Sequence, residues 1–303
     1  MAVDILCVGH AAFDICVFVE SFPPENSKCE TEELLESGGG PAANAAYLLS
    51  SWGHRCGFAG LIGIDSYGRR IQEEFQAAGA DTSLLELRAG YTTPVSIILI
   101  NKKTASRTVV NRKIRGGALH LDETTLQRMS PRVLLFDGHE LQASLMALRA
   151  FPGAVSILDA GSWREGAAQL AGKVDYLAAS ERFASQASGL AHLGNEDNRR
   201  ACVRDLREQY TTVVIVTLGE HGLVADDGSG FFHLPAYPAP AIDTTAAGDI
   251  FHGAFAHAVI SGMPFREGLR FASLTASLSV RVAGGRRSIP SLDKVKEEFA
   301  NAG

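Results

Sequence analysis

The chain predicts an α/β fold, a doubly wound, mostly parallel sheet flanked by helices. Short apolar runs at 133–136, 155–158, 174–177 and 213–217 are mostly separated by helix-like segments, and that alternation is how a parallel sheet is buried on both faces. The second informative stretch is Ala241-Ile-Asp-Thr-Thr-Ala-Ala-Gly-Asp-Ile-Phe-His-Gly-Ala-Phe255. It is a strand-like approach that turns through small residues into an apolar helix.

The elements follow in order from local pattern. Residues 3–8 read as a buried strand closed by Gly9. Residues 16–20 and 29–35 read as short strands, with Phe22-Pro-Pro24 turning the chain between them. Gly38-Gly-Gly-Pro-Ala-Ala-Asn-Ala-Ala46 opens a helix that runs to about Trp52. Pro41 suits its first turn, where no N–H partner is needed. Residues 56–61 form a strand, and 67–78 have helical periodicity with Ile71, Phe75 and Ala78 on one face. Residues 95–100 and 107–110 form a strand pair about Asn101-Lys-Lys-Thr104, and 223–225 with 230–233 form a hairpin about Asp226-Asp-Gly228. Helices at 250–260, 265–282 and 293–299 close the chain. Two strand pairs, at about 13–36 and 91–113, stand outside the alternation.

Composition bounds the function. The 303 residues are 46% hydrophobic, enough for a sizeable core. No internal repeat or interdomain linker is visible, so residues 1–303 are expected to form one domain. A net charge of −6 argues against a nucleic-acid partner, which calls for a basic face. Cys7, Cys16, Cys29, Cys56 and Cys202 are scattered and odd in number, which fits a reducing compartment and neither a disulfide framework nor a zinc site. The N-terminal apolar run is short and carries Asp4, unlike a signal peptide. No apolar stretch approaches the roughly 20 residues of a membrane span, so no membrane association is expected and the cytoplasm is the expected location.

The chemistry concentrates at Thr244 to Asp249. Small residues at a helix start leave backbone N–H groups free to face an anion, and the helix dipole favours negative charge there. A carboxylate beside that anion is unfavourable unless it has work to do, and taking a proton from an attacking hydroxyl is such work. The plainer alternative makes Asp249 a first-turn acid and Thr245 an N-cap. Gly38-Gly-Gly40 with Asn44 is a second candidate site, since a glycine run lets a ligand approach the backbone; alone, such a run is more often just a turn.

The string Asp243-Thr-Thr-Ala-Ala-Gly-Asp-x-Phe-x-Gly-Ala254 resembles the C-terminal signature of the ribokinase-like sugar kinases, the phosphofructokinase B type. Most members have Gly where Ala246 stands. The resemblance covers the whole chain. It implies a ribokinase-like fold whose early insertions, at about 13–36 and 91–113, form a small β-sheet lid. It also implies Asp249 as the catalytic base, with an anion hole at Ala246, Ala247, Gly248 and Asp249. Asp14, Gly39, Gly40 and Asn44 would contact sugar, and Lys28, Asn111 and His139 are further substrate candidates, with an exposed polar lid residue as the alternative for Lys28 and Asn111. Pro24-Glu-Asn-Ser-Lys28, Gly38-Gly-Gly-Pro-Ala-Ala43, Phe251-His-Gly-Ala254 and Gly284-Gly-Arg-Arg-Ser-Ile-Pro290 look most like the sulfofructose kinase branch, and Ser106-Arg-Thr-Val-Val110 like ketohexokinases. Asp137-Gly-His139 lacks the arginine with which sulfofructose kinases hold a sulfonate, so the expected acceptor is a furanose ketohexose or derivative, with ribose kept open, and not a sulfonated sugar.

On the nucleotide side the resemblance implies ATP contacts at Thr217, Gly219 and Gly222, in Thr217-Leu-Gly-Glu-His-Gly222, at Thr245 and Gly248, and at Gly285 and Ser288. The last loop borders a monovalent-cation site in many relatives, so a need for K⁺ stays open. Arg164 would contact the transferring phosphoryl group, with a surface helix arginine as the alternative. The Asn-x-x-Glu of the family reads here as Ser180-Glu-Arg-Phe183, leaving Glu181 to act on Mg²⁺ through water. Mg²⁺ is expected with ATP, because the ion keeps waters and binds phosphates. The resemblance also makes a homodimer through the lid plausible. Two rivals stay open: a nucleoside kinase, for which Phe13, Phe18 or Tyr91 would supply a base platform, and a non-catalytic sugar sensor.

Overall fold

Val, Ile and Leu fill the central strands, and these strands pair as parallel neighbours. A computed structural model describes residues 3–113, 117–210 and 212–302. The chain begins β1 (Ile5–Val8), β2 (Ala12–Val19), β3 (Leu34–Gly39), α1 (Pro41–Ser51), β4 (Cys56–Gly63), α2 (Ser66–Ala77), β5 (Leu85–Arg88), β6 (Val95–Asn101) and β7 (Arg107–Arg112). It continues α3 (Glu123–Gln127), β8 (Val133–Phe136), α4 (Leu141–Ala150), β9 (Val155–Ala160), α5 (Glu165–Ala171), β10 (Tyr176–Ser180), α6 (Glu181–Ser188), α7 (Glu196–Tyr210) and β11 (Val213–Thr217). It closes with β12 (Leu223–Asp226), β13 (Phe231–Leu234), α8 (Ala247–Ile260), α9 (Phe265–Ser279) and α10 (Leu292–Asn301).

A nine-stranded sheet has the order β13-β12-β11-β10-β9-β8-β1-β4-β5. From β11 to β5 every pairing is parallel, and β12 and β13 add an antiparallel edge. Alternate residues of β1 serve opposite layers. Ile5 and Cys7 pack with Leu48, Ile250, Phe255 and Phe271 from α1, α8 and α9, while Leu6 and Val8 pack with Ala147, Leu170, Phe183 and Leu206 from α4 to α7. The chain moves from β1 outward to β4 and β5, then returns to the other side of β1 to build β8 onward. The order therefore reverses at β1 and β8, and ligands of such sheets bind beyond the carboxyl ends of the strands at that reversal.

The second sheet, β3-β2-β6-β7, is the lid. Asp14 is level with Ser96, and Ser96 with Asn111. One residue on, Ile15, Ile97 and Val110 form the next row. Side chains alternate along a strand, so the polar row and the apolar row face opposite ways. Asp14 and Ser96 are buried, whereas Ile97 and Val110 are 46% and 58% exposed.

Three local expectations need correction. The second lid strand lies at Leu34–Gly39, not at 29–35, because Gly38 and Gly39 pair with Phe13 and Ala12 while 21–33 holds Pro23, Pro24 and a left-handed Asn26. The first lid strand begins at Ala12 instead of residue 16, which puts Asp14 inside it. Leu85–Arg88 forms an edge strand beside β4 that its mixed apolar and charged pattern did not announce. Among the described residues no helix is long and apolar enough to cross a membrane.

Candidate active site

The start of α8 is fixed by a buried carboxylate that sequence reading passed over. Asp243, 1% exposed, accepts the N–H of Thr245 and that of Gly284, each at 2.8 Å. It thereby draws the 284–288 loop against the 244–248 loop. A Cβ on Gly285 would lie 3.5 Å from the Cβ of Ala246. Ala246 caps the helix in the left-handed region at φ 61°, a conformation that disfavours any residue with a Cβ. The first-turn N–H groups, those of Gly248 and Asp249 included, have no intrahelical acceptor. Among the described residues, Thr245 Oγ1 is buried with no hydrogen-bond partner.

Asp249 stands in this first turn and joins a chain of contacts. Its Oδ2 accepts from Asn44 Nδ2 at 2.7 Å. Asn44 Oδ1 accepts from Arg286 Nε at 3.2 Å, and Arg286 Nη1 donates to Glu74 Oε2 at 2.7 Å. Glu74 also accepts the N–H of Gly38. A guanidinium only donates, so Arg286 dictates which end of the Asn44 amide meets Asp249. Arg286 is itself sandwiched near the rings of Tyr47 and Phe75.

Burial, with Asp159 next in effect, pushes the Asp249 carboxyl up to about 7, against the Asn44 hydrogen bond and His252. His252, one helical turn later, places Nδ1 2.9 Å from Oδ2 of Asp159, and both side chains are buried. Burial would lower the histidine, but Asp159 and Asp249 together raise it. A carboxyl balanced near neutrality suits proton abstraction at physiological pH. The meeting of Asp159, at the end of β9, with His252 on α8 is set by the fold.

The lid meets this centre from the other side. Asp14 is 9% exposed, and burial raises its carboxyl against the Ser96 hydrogen bond and Arg286. A Cβ on Gly39 would sit 2.0 Å from Asp14 Oδ2, so the glycine makes room for that carboxylate. Gly40 is left-handed, with the carbonyl of His10 2.3 Å from where its Cβ would be. Asn111 is exposed on the Asp14 row. Lys28 is exposed in the irregular 20–33 segment, and among the described residues no hydrogen bond or ion pair joins it to the centre. The lid touches the α8 loop where Arg107 Nη1 donates to Thr244 Oγ1 at 2.5 Å.

Thr217 and Gly219 open on a cleft of about 580 Å³ that Ser180 and Glu181 also line. Ser180 caps α6 by accepting the Phe183 N–H at 3.1 Å, and Phe183 is fully buried. Both replacements in the damaged Asn-x-x-Glu therefore have local structural roles, and Glu181 alone of that segment's acids faces the cleft. Gly222 answers to hairpin packing, since its Cβ would meet the Leu234 carbonyl at 2.0 Å. Ser288 Oγ turns inward to the Gly285 carbonyl at 2.8 Å. Arg164 does not line this cleft; its Nη1 is 2.7 Å from His139 Nε2.

Residues 3–292 match the pfkB family carbohydrate kinase family. The chain belongs to the pfkB family. It is a carbohydrate kinase, a phosphotransferase. A ribokinase of Haemophilus influenzae is 25% identical over 313 residues, covering 100% of each chain. A nucleoside kinase of Methanothermobacter thermautotrophicus is 26% identical, covering 98% of this chain and 95% of the relative. The crystal structure of a Thermotoga maritima ribokinase superposes with TM-score 0.80 at 25% identity, covering 99% of each chain. An Arabidopsis thaliana ribokinase complexed with ribose and ATP gives TM-score 0.83 at 24% identity, again over 99% of each chain. These relatives correct the expected branch. The motifs that look like those of sulfofructose kinases and ketohexokinases sit in a chain whose near relatives are ribokinases.

Proposed function

We propose that this pfkB-family kinase transfers the γ-phosphoryl group of ATP to a hydroxymethyl group of a furanose sugar, a ketohexose or derivative, or ribose. The observation that carries the reading is Asp249, held by Asn44 at a helix start where the N–H groups of Gly248 and Asp249 have no intrahelical acceptor. Asp249 takes the hydroxyl proton as the sugar oxygen bonds to the γ-phosphorus. The bond from that phosphorus to the β-bridging oxygen breaks, and ADP departs. The N–H groups of Ala246, Gly248 and Asp249 stabilise charge on the transferring oxygens, whereas that of Ala247 is donated to the Thr244 carbonyl at 3.3 Å. Asp14 and Asn111 hold sugar hydroxyls from the lid, with Gly39 and Gly40 clearing the approach. The nucleotide lies along Thr217, Gly219, Thr245 and Gly285. Mg²⁺ arriving with ATP would neutralise phosphate charge, with Glu181 as the nearest acid of the cleft. Lid closure keeps water from competing as acceptor.

The nucleoside-kinase reading keeps only Tyr91, which is half-buried, of its three platform candidates. Phe13 and Phe18 are 0% and 3% exposed, inside the packing and unable to stack on a base. The exposed row of Ile97 and Val110, with Leu34 at 54% exposure, fits a second copy of this chain against the outer lid face, and a Val110→Lys variant should shift a dimer to monomer in light scattering. Cytoplasmic location follows from the need for ATP and the scattered cysteines. The deciding experiment is ADP release over a panel of ribose, fructose, other ketoses and nucleosides. Turnover confined to nucleosides, or none with any acceptor, rejects the reading.

A further inference from the structure

Behind Asp249 lie a second carboxylate and a histidine that the transfer as described does not use. The side chains of His252 and Asp159 are each 4% exposed, whereas Asp249 is half-buried. His252 follows Asp249 by three residues on α8, so the two share one helix face with Cβ atoms about 5–6 Å apart. The ring nevertheless turns to β9. Its Nδ1 lies 2.9 Å from Asp159 Oδ2, an ion pair too oblique for a straight hydrogen bond. A carboxylate this close favours the ring with a proton on Nδ1. Burial opposes that charge, but Asp159, Asp249 and the backbone of Ala178 all support it. Ala178 stands level with Asp159 on β10.

The groups that face the base come from four elements. α1 supplies Asn44, among the described residues the one hydrogen-bond donor to the Asp249 carboxylate, with Arg286 behind it. β9 supplies Asp159, α8 its own His252, and β2 supplies Asp14; after burial, Asp159 and Asp14 oppose ionisation of Asp249, and Asn44 and His252 favour it. Two carboxylates thus compete for one imidazolium. A buried cation one turn from Asp249 would pair with it if nothing else held the ring, and a carboxylate in an ion pair is a weaker base with fewer lone pairs for a hydroxyl proton. The more deeply buried carboxylate takes the ring instead.

We propose that Asp159 is a positioning residue for phosphoryl transfer: it holds the His252 imidazolium against β9 and leaves the Asp249 carboxylate free for the acceptor hydroxyl. This rests on the sugar-kinase reading and deepens it. The hydroxyl proton goes to Asp249, and His252 and Asp159 neither gain nor lose one. The two members of the pair act on Asp249 with opposite sign, so removing one or the other moves its titration in opposite directions. A pair that only packed would move it in neither.

The test follows the Asp249 carboxyl by ¹³C NMR in the unliganded full chain, its signal assigned by loss in Asp249→Asn. The titration midpoint is expected to fall by about one pH unit in Asp159→Asn and to rise by about one in His252→Asn, the scale of one nearby charge. The double variant should titrate below the parent, because Asp159 acts more strongly than His252. In kinetics the acid limb of kcat/KM should follow these midpoints. The high-pH kcat should fall at least about tenfold in Asp159→Asn with KM steady, and less in His252→Asn, which has no imidazolium left to occupy the base. Midpoints that shift with one sign, or do not shift, overturn the inference. Removing one partner of a buried pair can prevent folding. In that case the double variant, which leaves neither charge unpaired, decides, and a midpoint at or above the parent's overturns the inference. Long-range ¹H–¹⁵N spectra of the parent should show both His252 ring nitrogens protonated at neutral pH, and a neutral ring overturns it whatever the variants do. The titrations need no turnover. Midpoints that shift as expected without ADP release from any acceptor keep the pair's role toward Asp249 and reject the kinase reading, whereas ADP release with unshifted midpoints does the reverse.

Discussion

Replacing Asp249 by Asn removes a charge that the fold holds at a cost. Its carboxyl is shifted from 3.8 to about 7. At about 1.4 kcal/mol per pH unit, that difference is an upper bound of about 4 kcal/mol against the folded state once the group ionises. The sign follows from proton counts. Between the two values the folded chain holds a proton that the unfolded chain has released, so the native state loses stability as pH rises through that interval and nothing further changes above it. The amide of the Asp249→Asn variant would not titrate. Urea denaturation should therefore give parent and variant nearly equal stability near pH 4. The variant should be the more stable by roughly 1–2 kcal/mol at pH 8, the bound being reduced because the new amide needs its own partners beside Asn44. Turnover should fall by about 10²–10⁴, the usual share of a general base. The parent's kcat/KM should climb with pH through about 7 and then level, because only the ionised carboxylate can take the proton. A variant less stable than the parent at pH 8, or a stability gap independent of pH, would refute the argument that this carboxylate is held against its environment.

Three further outcomes are expected. Arg286→Met frees the Asn44 amide to turn its oxygen toward Asp249, so kcat should drop about 10–100-fold and the acid limb of the pH profile should move upward. A stability loss without that movement would make Arg286 merely structural. Ala246→Gly relieves the left-handed strain, worth about 1–2 kcal/mol, against about 0.4–1 kcal/mol of added unfolded-state freedom. Melting should show a net gain near 0.5 kcal/mol, and a loss would mean the Ala246 methyl packs better than its conformation suggests. Gly39→Ala drives a methyl into Asp14, so KM for sugar should rise at least tenfold while KM for ATP holds, as steady-state assays with each substrate varied would show.

Much was legible because the chemistry is local in the chain. Strand runs alternating with helical periodicity dictate a parallel sheet whatever the details, and a small-residue helix entry with an acid in its first turn is a contiguous string. The lid strands were placed only roughly, since Gly38 and Gly39 read as a turn until β2 offers them partners. Phe13 and Phe18 look like a ligand platform in sequence, yet five positions apart they face opposite sides of β2, and each is buried there in a different cluster. What the fold alone decided is which distant groups share a volume. Asp243 binds loops 41 residues apart, Arg286 and Asn44 meet across a separation of 242, and Asp159 finds His252 across the sheet. No arginine stands at 137–139, yet the turn after β9 delivers Arg164 to His139. Periodicity reports which way each side chain faces along one element; electrostatics depends on distances between elements, and only the packed sheet and its lid set those.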